Sequence, residues 1–136
     1  MYENVKYGFN VSYPIEYLLG QERGADFFTL YVTREQKSPF RLKYAPTLYI
    51  EKGEQGAYIR SIAKREDSAV ISRRNVTVGA SIDGEQIASR PTDTKGGAKL
   101  VETVFSNGDD AYVIWQRYDE RIDPAYPMLI QTFSFQ

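Results

Sequence analysis

Apolar and polar residues alternate along most of the chain, with the period of half-buried β-strands. In residues 7–14 (YGFNVSYP), aromatic and apolar side chains alternate with polar ones, and the final proline ends the strand because it cannot donate a ladder hydrogen bond. Residues 27–33 and 47–51 are predicted to form the next two strands. The first of these two runs carries aromatic or apolar groups on both faces, which is typical of a central strand covered on two sides.

One amphipathic helix is predicted over residues 54–66. Its apolar side chains fall at i, i+1, i+4 and i+5 and form one stripe: Tyr58, Ile59, Ile62 and Ala63. The opposite face is basic and carries Arg60, Lys64 and Arg65.

Two hairpins are predicted in the second half of the chain. Residues 76–82 alternate towards Asp83 and Gly84, a dipeptide favoured in two-residue hairpin turns. Residues 100–105 and 111–118 are rich in β-branched and aromatic side chains and flank an Asn-Gly dipeptide at 107–108. The second pair is the stronger hairpin signal.

The chain closes with a short predicted helix and a final apolar segment. Asp123 is a favoured N-cap residue, Pro124 suits the first helical position, and the helix is predicted to reach Gln131 before residues 133–135. Short turns favour antiparallel pairing. The order of elements therefore predicts the α+β class, with a single antiparallel sheet of about six or seven strands flanked by helices. We expect residues 1–136 to form one domain.

Cysteine and histidine are both absent. Without thiolate or imidazole the usual zinc, haem and iron–sulfur sites are excluded, and so are nucleophiles activated by histidine. The remaining repertoire is carboxylate pairs, lysine, tyrosine, serine and hard cations bound by oxygen. The spacing of the acids identifies no general acid and base, so we predict a protein that is not an enzyme and needs no cofactor.

Three segments together resemble PsbP-like domains. Residues 7–14 are similar to the family's opening (aromatic, Gly, Phe, x, hydrophobic, x, Tyr-Pro), and the middle helix lies where those domains place theirs. Residues 111–115, the short helix and residues 132–135 resemble their final strand, helix and ending. One departure is Tyr17, which stands where the family's usual opening has tryptophan.

The resemblance implies an α/β/α sandwich, shared with the Ran-binding Mog proteins and many uncharacterised bacterial lipoprotein domains. It also implies mostly non-catalytic roles: partner binding, assembly, and membrane-tethered domains outside the cytoplasm. The first residues lack the basic stretch and apolar run of a signal peptide, and Met1 fits either a native start or the replacement of a removed leader. We therefore expect a non-catalytic binding or assembly module, with an extracytoplasmic location slightly favoured over the cytoplasm.

Charge is unevenly distributed, although the net charge is only -1. Residues 34–74 contain ten basic and five acidic side chains, whereas residues 101–136 contain two basic and six acidic ones. Such asymmetry can orient a protein at an acidic partner or an anionic surface. The candidate partner-binding basic face consists of Arg60, Lys64, Arg65, Arg73 and Arg74. The alternative is that these residues are solvated helix and loop faces.

Nucleic acid is a less favoured partner. Stacking and phosphate-binding groups occur together at Tyr31, Tyr44 and Tyr49 with Arg34, Arg41 and Lys43. With eleven tyrosines in the chain, however, such neighbours arise easily by chance, and tyrosine on a sheet usually packs.

The runner-up function is binding of a small ligand or calcium, and a carboxylate-based hydrolase or isomerase ranks below it. Oxygen ligands for calcium are offered by Asp109, Asp110, Asp119, Glu120 and Asp123, although their spacing is not that of an EF-hand. A ligand pocket is conceivable where the long loops 36–46 and 90–97 meet. Two surface loops without a ligand are the alternative.

Overall fold

A computed structural model describes residues 1–34, 44–92 and 97–136. The strands of these parts are β1 (Tyr2–Asn4), β2 (Phe9–Val11), β3 (Leu18–Arg23), β4 (Phe27–Thr33), β5 (Thr47–Lys52), β6 (Ser68–Val78), β7 (Ile82–Pro91), β8 (Lys99–Asn107), β9 (Asp110–Tyr118) and β10 (Ser134–Phe135). The helices are α1 (Gln55–Ala63) and α2 (Ala125–Thr132). Neither helix has the length and hydrophobicity to cross a membrane, within the described ranges.

Seven strands form the main sheet, in the order β3-β4-β5-β9-β8-β7-β6, and every neighbouring pair is antiparallel. The α+β prediction with a seven-stranded antiparallel sheet is therefore confirmed. The pairing of β5 with β9 joins the first half of the chain to the second. A small second sheet, β1-β2-β10, contains the strand predicted within residues 7–14 and the last residues of the chain.

The main sheet is covered on both faces, which gives the predicted arrangement of a sheet flanked by helices. The small sheet and α2 cover one face with the larger apolar cluster, whose bulkiest members include Phe9, Phe28, Leu30, Phe105, Tyr112 and Phe133. Helix α1 covers part of the other face, where its Ile59 and Ile62 pack against Ile87, Val104 and Val113. The apolar stripe predicted for this helix is thus the buried one.

Aromatic rings form the centre of the larger cluster. The Phe133 ring centroid lies 4.8 Å from that of Phe105 and 5.2 Å from that of Phe9. Phe135 stands edge-on to Tyr112 at 5.2 Å. Because Phe133 and Phe135 follow α2, the last residues of the chain close the space between the small sheet and the main sheet.

The turn predicted at Asp83 and Gly84 is wrong, since both residues lie within β7. The chain instead turns directly after β6, where Gly79 has a φ of +58° and its N–H donates to the Ile130 carbonyl at 2.7 Å. A Cβ on Gly84 would lie 3.1 Å from the Val104 carbonyl oxygen. Glycine at position 84 therefore serves close packing between strands rather than a turn.

The hairpin between β8 and β9 agrees with its prediction. Asn107 pairs with Asp110 across the turn, and Gly108 adopts the left-handed φ of +60° that this turn requires. At α2 the helix begins one residue later than predicted, with Pro124 in the N-cap position. The Asp123 carboxylate still accepts a hydrogen bond from the Ala125 N–H at 2.9 Å, so it satisfies a free donor of the first turn.

Buried tyrosines are expected to make the fold sensitive to alkaline pH. Burial raises the pKa of Tyr112 from 10.0 to about 12 and also raises the pKa of Tyr126. Because the higher pKa belongs to the folded state, this contribution to stability is complete below pH 10 and is lost as the pH rises from 10 towards about 12. We expect cooperative unfolding in that window, with tyrosinate absorbance rising as near-ultraviolet circular dichroism is lost.

A matched pair of variants checks the alkaline transition. Tyr112→Phe removes one of the responsible hydroxyls and is expected to move the midpoint to higher pH. Tyr118→Phe, at a half-buried tyrosine near the end of β9, is expected to leave the midpoint unchanged. Complete ionisation of the tyrosines while the circular dichroism stays native would contradict the prediction.

Candidate functional site

Helix α1 covers only part of its side of the main sheet. Its nine residues span about 14 Å, whereas the nine-residue strands β8 and β9 each span about 30 Å. The rest of this face borders a hollow of about 790 Å³, which we call the aromatic groove. Its central residues are Tyr49, Tyr58, Arg65, Ser89, Glu102, Trp115 and Arg117.

Strand geometry brings these groups together. Trp115 of β9 pairs with Glu102 of β8, and Arg117 follows two residues later on the same face because side chains alternate along a strand. Tyr49 lies on β5, the other neighbour of β9. Helix α1 supplies Tyr58 and β7 supplies Ser89, so these central residues come from four strands, one helix and the segment that follows it.

The floor of the groove contains a buried carboxylate, Glu102, which is 1% exposed. Arg65 donates from one terminal nitrogen to Glu102 Oε1 at 2.7 Å and from the other to Oε2 at 3.2 Å. The Tyr58 hydroxyl donates to the same Oε2 at 2.7 Å. Burial, followed by the charge of Glu102, raises the pKa of Tyr58, so this hydroxyl keeps its proton at neutral pH. Both carboxylate oxygens thus have donors from within the chain.

Other groups along the groove remain open to a ligand. The Arg117 guanidinium lies 5.3 Å from the centroid of the Trp115 ring, within cation–π distance. Neither side chain makes a hydrogen bond or ion pair to any described residue. Ser89, which is 1% exposed, also lines the groove. The side chains of Trp115 and Arg117 are therefore available to bind a ligand.

The five residues of the predicted basic face do not form one surface. Arg65 turns inwards to Glu102, and Arg73 forms an ion pair with Glu85. Arg74 lies on the opposite side of the sheet, because neighbouring residues of a strand point to opposite faces. It donates to Gln86 Oε1 at 2.7 Å, and Gln86 also contacts Tyr126 of α2. Only Arg60, on α1, and Lys64, directly after the end of α1, remain as an exposed pair.

The predicted calcium ligands are also separated. Asp109 and Asp110 lie at the beginning of β9, whereas residues 119–123 follow its end, roughly 30 Å away. Asp123 accepts a hydrogen bond from the Tyr17 hydroxyl at 2.5 Å in addition to capping α2. No group of three or more carboxylates that could hold a metal ion occurs among the described residues. Grouping these acids was wrong, because the nine residues of β9 separate those at the hairpin turn from those beyond the strand's other end.

The two loops predicted to form a pocket fall largely outside the described residues, at positions 35–43 and 93–96. Arg41 and Lys43, named with the tyrosines as possible nucleic-acid contacts, lie there too. Of the second loop, Pro91 and Gly97 are described, and both line the aromatic groove.

Comparisons with known proteins identify the fold. No protein-family model matches the sequence, and no curated protein matches it. Among solved structures, the chain is similar to the solution structure of cyanobacterial PsbP (CyanoP) from Synechocystis sp. PCC 6803, with a TM-score of 0.64 and 10% sequence identity. The similarity covers 99% of this chain and 91% of that one. The protein therefore has a PsbP-like fold, as the sequence resemblance indicated.

Proposed function

We propose that the chain is a single non-catalytic module that binds a protein partner through the aromatic groove. One observation carries the proposal: the buried Glu102 is satisfied internally, while Tyr49, Trp115 and Arg117 line the groove and are only partly buried. Tyrosine, tryptophan and arginine are the residue types that contribute most energy to protein interfaces. The groove thus resembles half of an interface rather than a reaction site.

The contacts of Glu102 support a binding role over a catalytic one. A general acid or base must reach and exchange a proton with a substrate group. Both oxygens of this carboxylate are already occupied, by Arg65 and Tyr58. The absence of histidine and cysteine from the sequence leaves no imidazole or thiol to replace it.

The PsbP-like fold supports the same function. The sequence resemblance to PsbP-like domains implies partner binding or assembly, and it also favours an extracytoplasmic location. We include that location in the proposal.

Site-specific photo-cross-linking tests the proposal. A photoreactive phenylalanine analogue at position 49 places the reactive group in the groove, and the same analogue at position 118 is the control on the opposite sheet face. In extract from the native source, we expect position 49 to give a discrete protein adduct that disappears with Trp115→Ala. Position 118 is expected to give none.

The cross-linking result is interpreted together with thermal unfolding, so that loss of the adduct is separated from loss of the fold. An adduct that persists in folded Trp115→Ala protein would contradict binding through the groove. So would the absence of any protein adduct at position 49.

A further inference from the structure

The strands that carry Tyr49, Ser89, Glu102 and Trp115 have no free edge. Strands β5, β7, β8 and β9 are each hydrogen-bonded to neighbours on both sides, and the edge strand β6 contributes only Ser68 at its first residue. A segment lying in the groove therefore cannot extend the sheet through main-chain hydrogen bonds and must be recognised by side chains. This restricts the conformations that suit a bound peptide.

Two donor side chains of the groove have no hydrogen-bond partner among the described residues. Trp115 and Arg117 carry N–H groups and no acceptor, while the Asp67 carboxylate, also on the groove, is an acceptor. The strongest acceptor, Glu102, is already occupied on both oxygens by Arg65 and Tyr58. A complementary ligand offers carbonyl oxygens and few N–H groups of its own.

Aromatic faces are the second feature of the groove. Tyr49, Tyr58 and Trp115 line the groove and make no ring contact with one another in the described ranges, although Arg117 lies over Trp115 and the Phe27 ring lies 6.5 Å from that of Tyr49. Proline rings pack well on such faces. A proline-rich segment also lacks an N–H at each proline, exposes its carbonyls and adopts a preformed extended helix at low entropic cost.

The charge of Arg117 adds one requirement. Its guanidinium is held over Trp115, and no carboxylate in the described ranges pairs with it. Asp67, the other acid on the groove, makes no ion pair with Arg117. A carboxylate from the ligand would complete a charge-assisted contact there.

From these contacts, and resting on the proposed function, we infer that the aromatic groove binds an extended, proline-rich segment of a partner protein that carries an acidic residue. The proline rings lie on Tyr49 and Tyr58 and beside Trp115. The acidic side chain pairs with Arg117, and ligand carbonyls accept from the groove's donors.

Tryptophan fluorescence tests the inference directly, because Trp115 is the only tryptophan in the chain. Three synthetic peptides of equal length are titrated: a proline-rich peptide with a central glutamate, the same peptide with lysine instead, and an acidic peptide with alanine in place of every proline. We expect a saturable emission change with the first. Binding is expected to be about tenfold weaker with the second and undetectable with the third.

A charge variant assigns the acidic contact. Arg117→Gln is expected to abolish the preference for glutamate over lysine while leaving the proline dependence. Arg121→Gln, at an exposed arginine beyond the end of β9, is the matched control and is expected to keep the preference. An unchanged preference in Arg117→Gln would overturn the assignment of that residue.

Failure of this inference is distinguishable from failure of the proposed function. Mass spectrometry of the position 49 adduct identifies the partner segment, which we expect to be proline-rich and acidic. A specific adduct to a segment without proline, or no saturable response to any proline-rich peptide, overturns the inference and leaves the groove as a protein-binding site. Absence of a protein adduct contradicts the proposed function itself.

Discussion

Replacing Gly79 with alanine is expected to lower the free energy of unfolding by about 4 kcal/mol, an unusually large effect for one methyl group. Gly79 has a φ of +58°, and a Cβ there would overlap the Phe133 carbonyl oxygen. The obstacle is backbone, so no side-chain rotation relieves it. To admit the methyl group, the end of α2 has to move and carry Phe133 away from Phe105 and Phe9.

Gly108→Ala separates this overlap from backbone strain. Gly108 has nearly the same φ, +60°, but a Cβ at this position would meet no other atom within 4 Å. The substitution therefore costs only the strain of a left-handed alanine, about 1 kcal/mol. Denaturant unfolding of both variants measures the difference. Equal losses would show that the contact with Phe133 is unimportant, whereas failure of Gly79→Ala alone to fold would agree with the prediction.

Replacing Glu102 with leucine is expected to lower the free energy of unfolding by about 3 kcal/mol. The substitution leaves Arg65, whose side chain is only 30% exposed, without its carboxylate, and it removes the acceptor of the Tyr58 hydroxyl. For a chain of this length we expect the melting temperature to fall by roughly 10 °C. Differential scanning calorimetry gives the measurement.

Two controls distinguish the cost of leaving Arg65 as an unpaired, partly buried charge from the loss of a favourable ion pair. Adding Arg65→Leu to Glu102→Leu removes this unpaired charge and is expected to restore much of the lost stability. Glu85→Leu breaks the ion pair with Arg73, whose side chain is 58% exposed, and is expected to cost less than about 1 kcal/mol. A double variant no more stable than Glu102→Leu would contradict the explanation.

The sequence predicted those strands whose side-chain alternation is itself the evidence. Strands β4, β5, β8 and β9 match their predicted ranges within about two residues. Strand β3 was not predicted, because it is an edge strand whose residues are largely exposed and show no apolar alternation. The local sequence pattern also could not show whether the turn lies at Gly79 or at Gly84. It depends on the Ile130 and Val104 carbonyls, which come from distant parts of the chain.

The aromatic groove was harder to predict than the sheet. Glu102 stands in an apolar strand, a sign of a buried carboxylate, but its partners Arg65 and Tyr58 are 37 and 44 residues away. The predicted basic face included both Arg73 and Arg74 because both are basic. Side chains alternate along a strand, however, so these two neighbours lie on opposite faces of the sheet. The sequence placed Trp115 in a strand but did not show that it lines a groove. Its exposure depends on how far α1 extends over the sheet.

The position of Phe133 and Phe135 has a consequence for protein synthesis. Strands β4, β5, β8 and β9 can leave the ribosome and pair while the rings of Phe105 and Tyr112 still lack the cover of Phe133 and Phe135. That cover arrives only when residue 135 has passed the exit tunnel. Until then the nascent chain exposes aromatic surface that favours chaperone capture, so the emergence of residues 133–135 determines when this surface is protected from aggregation.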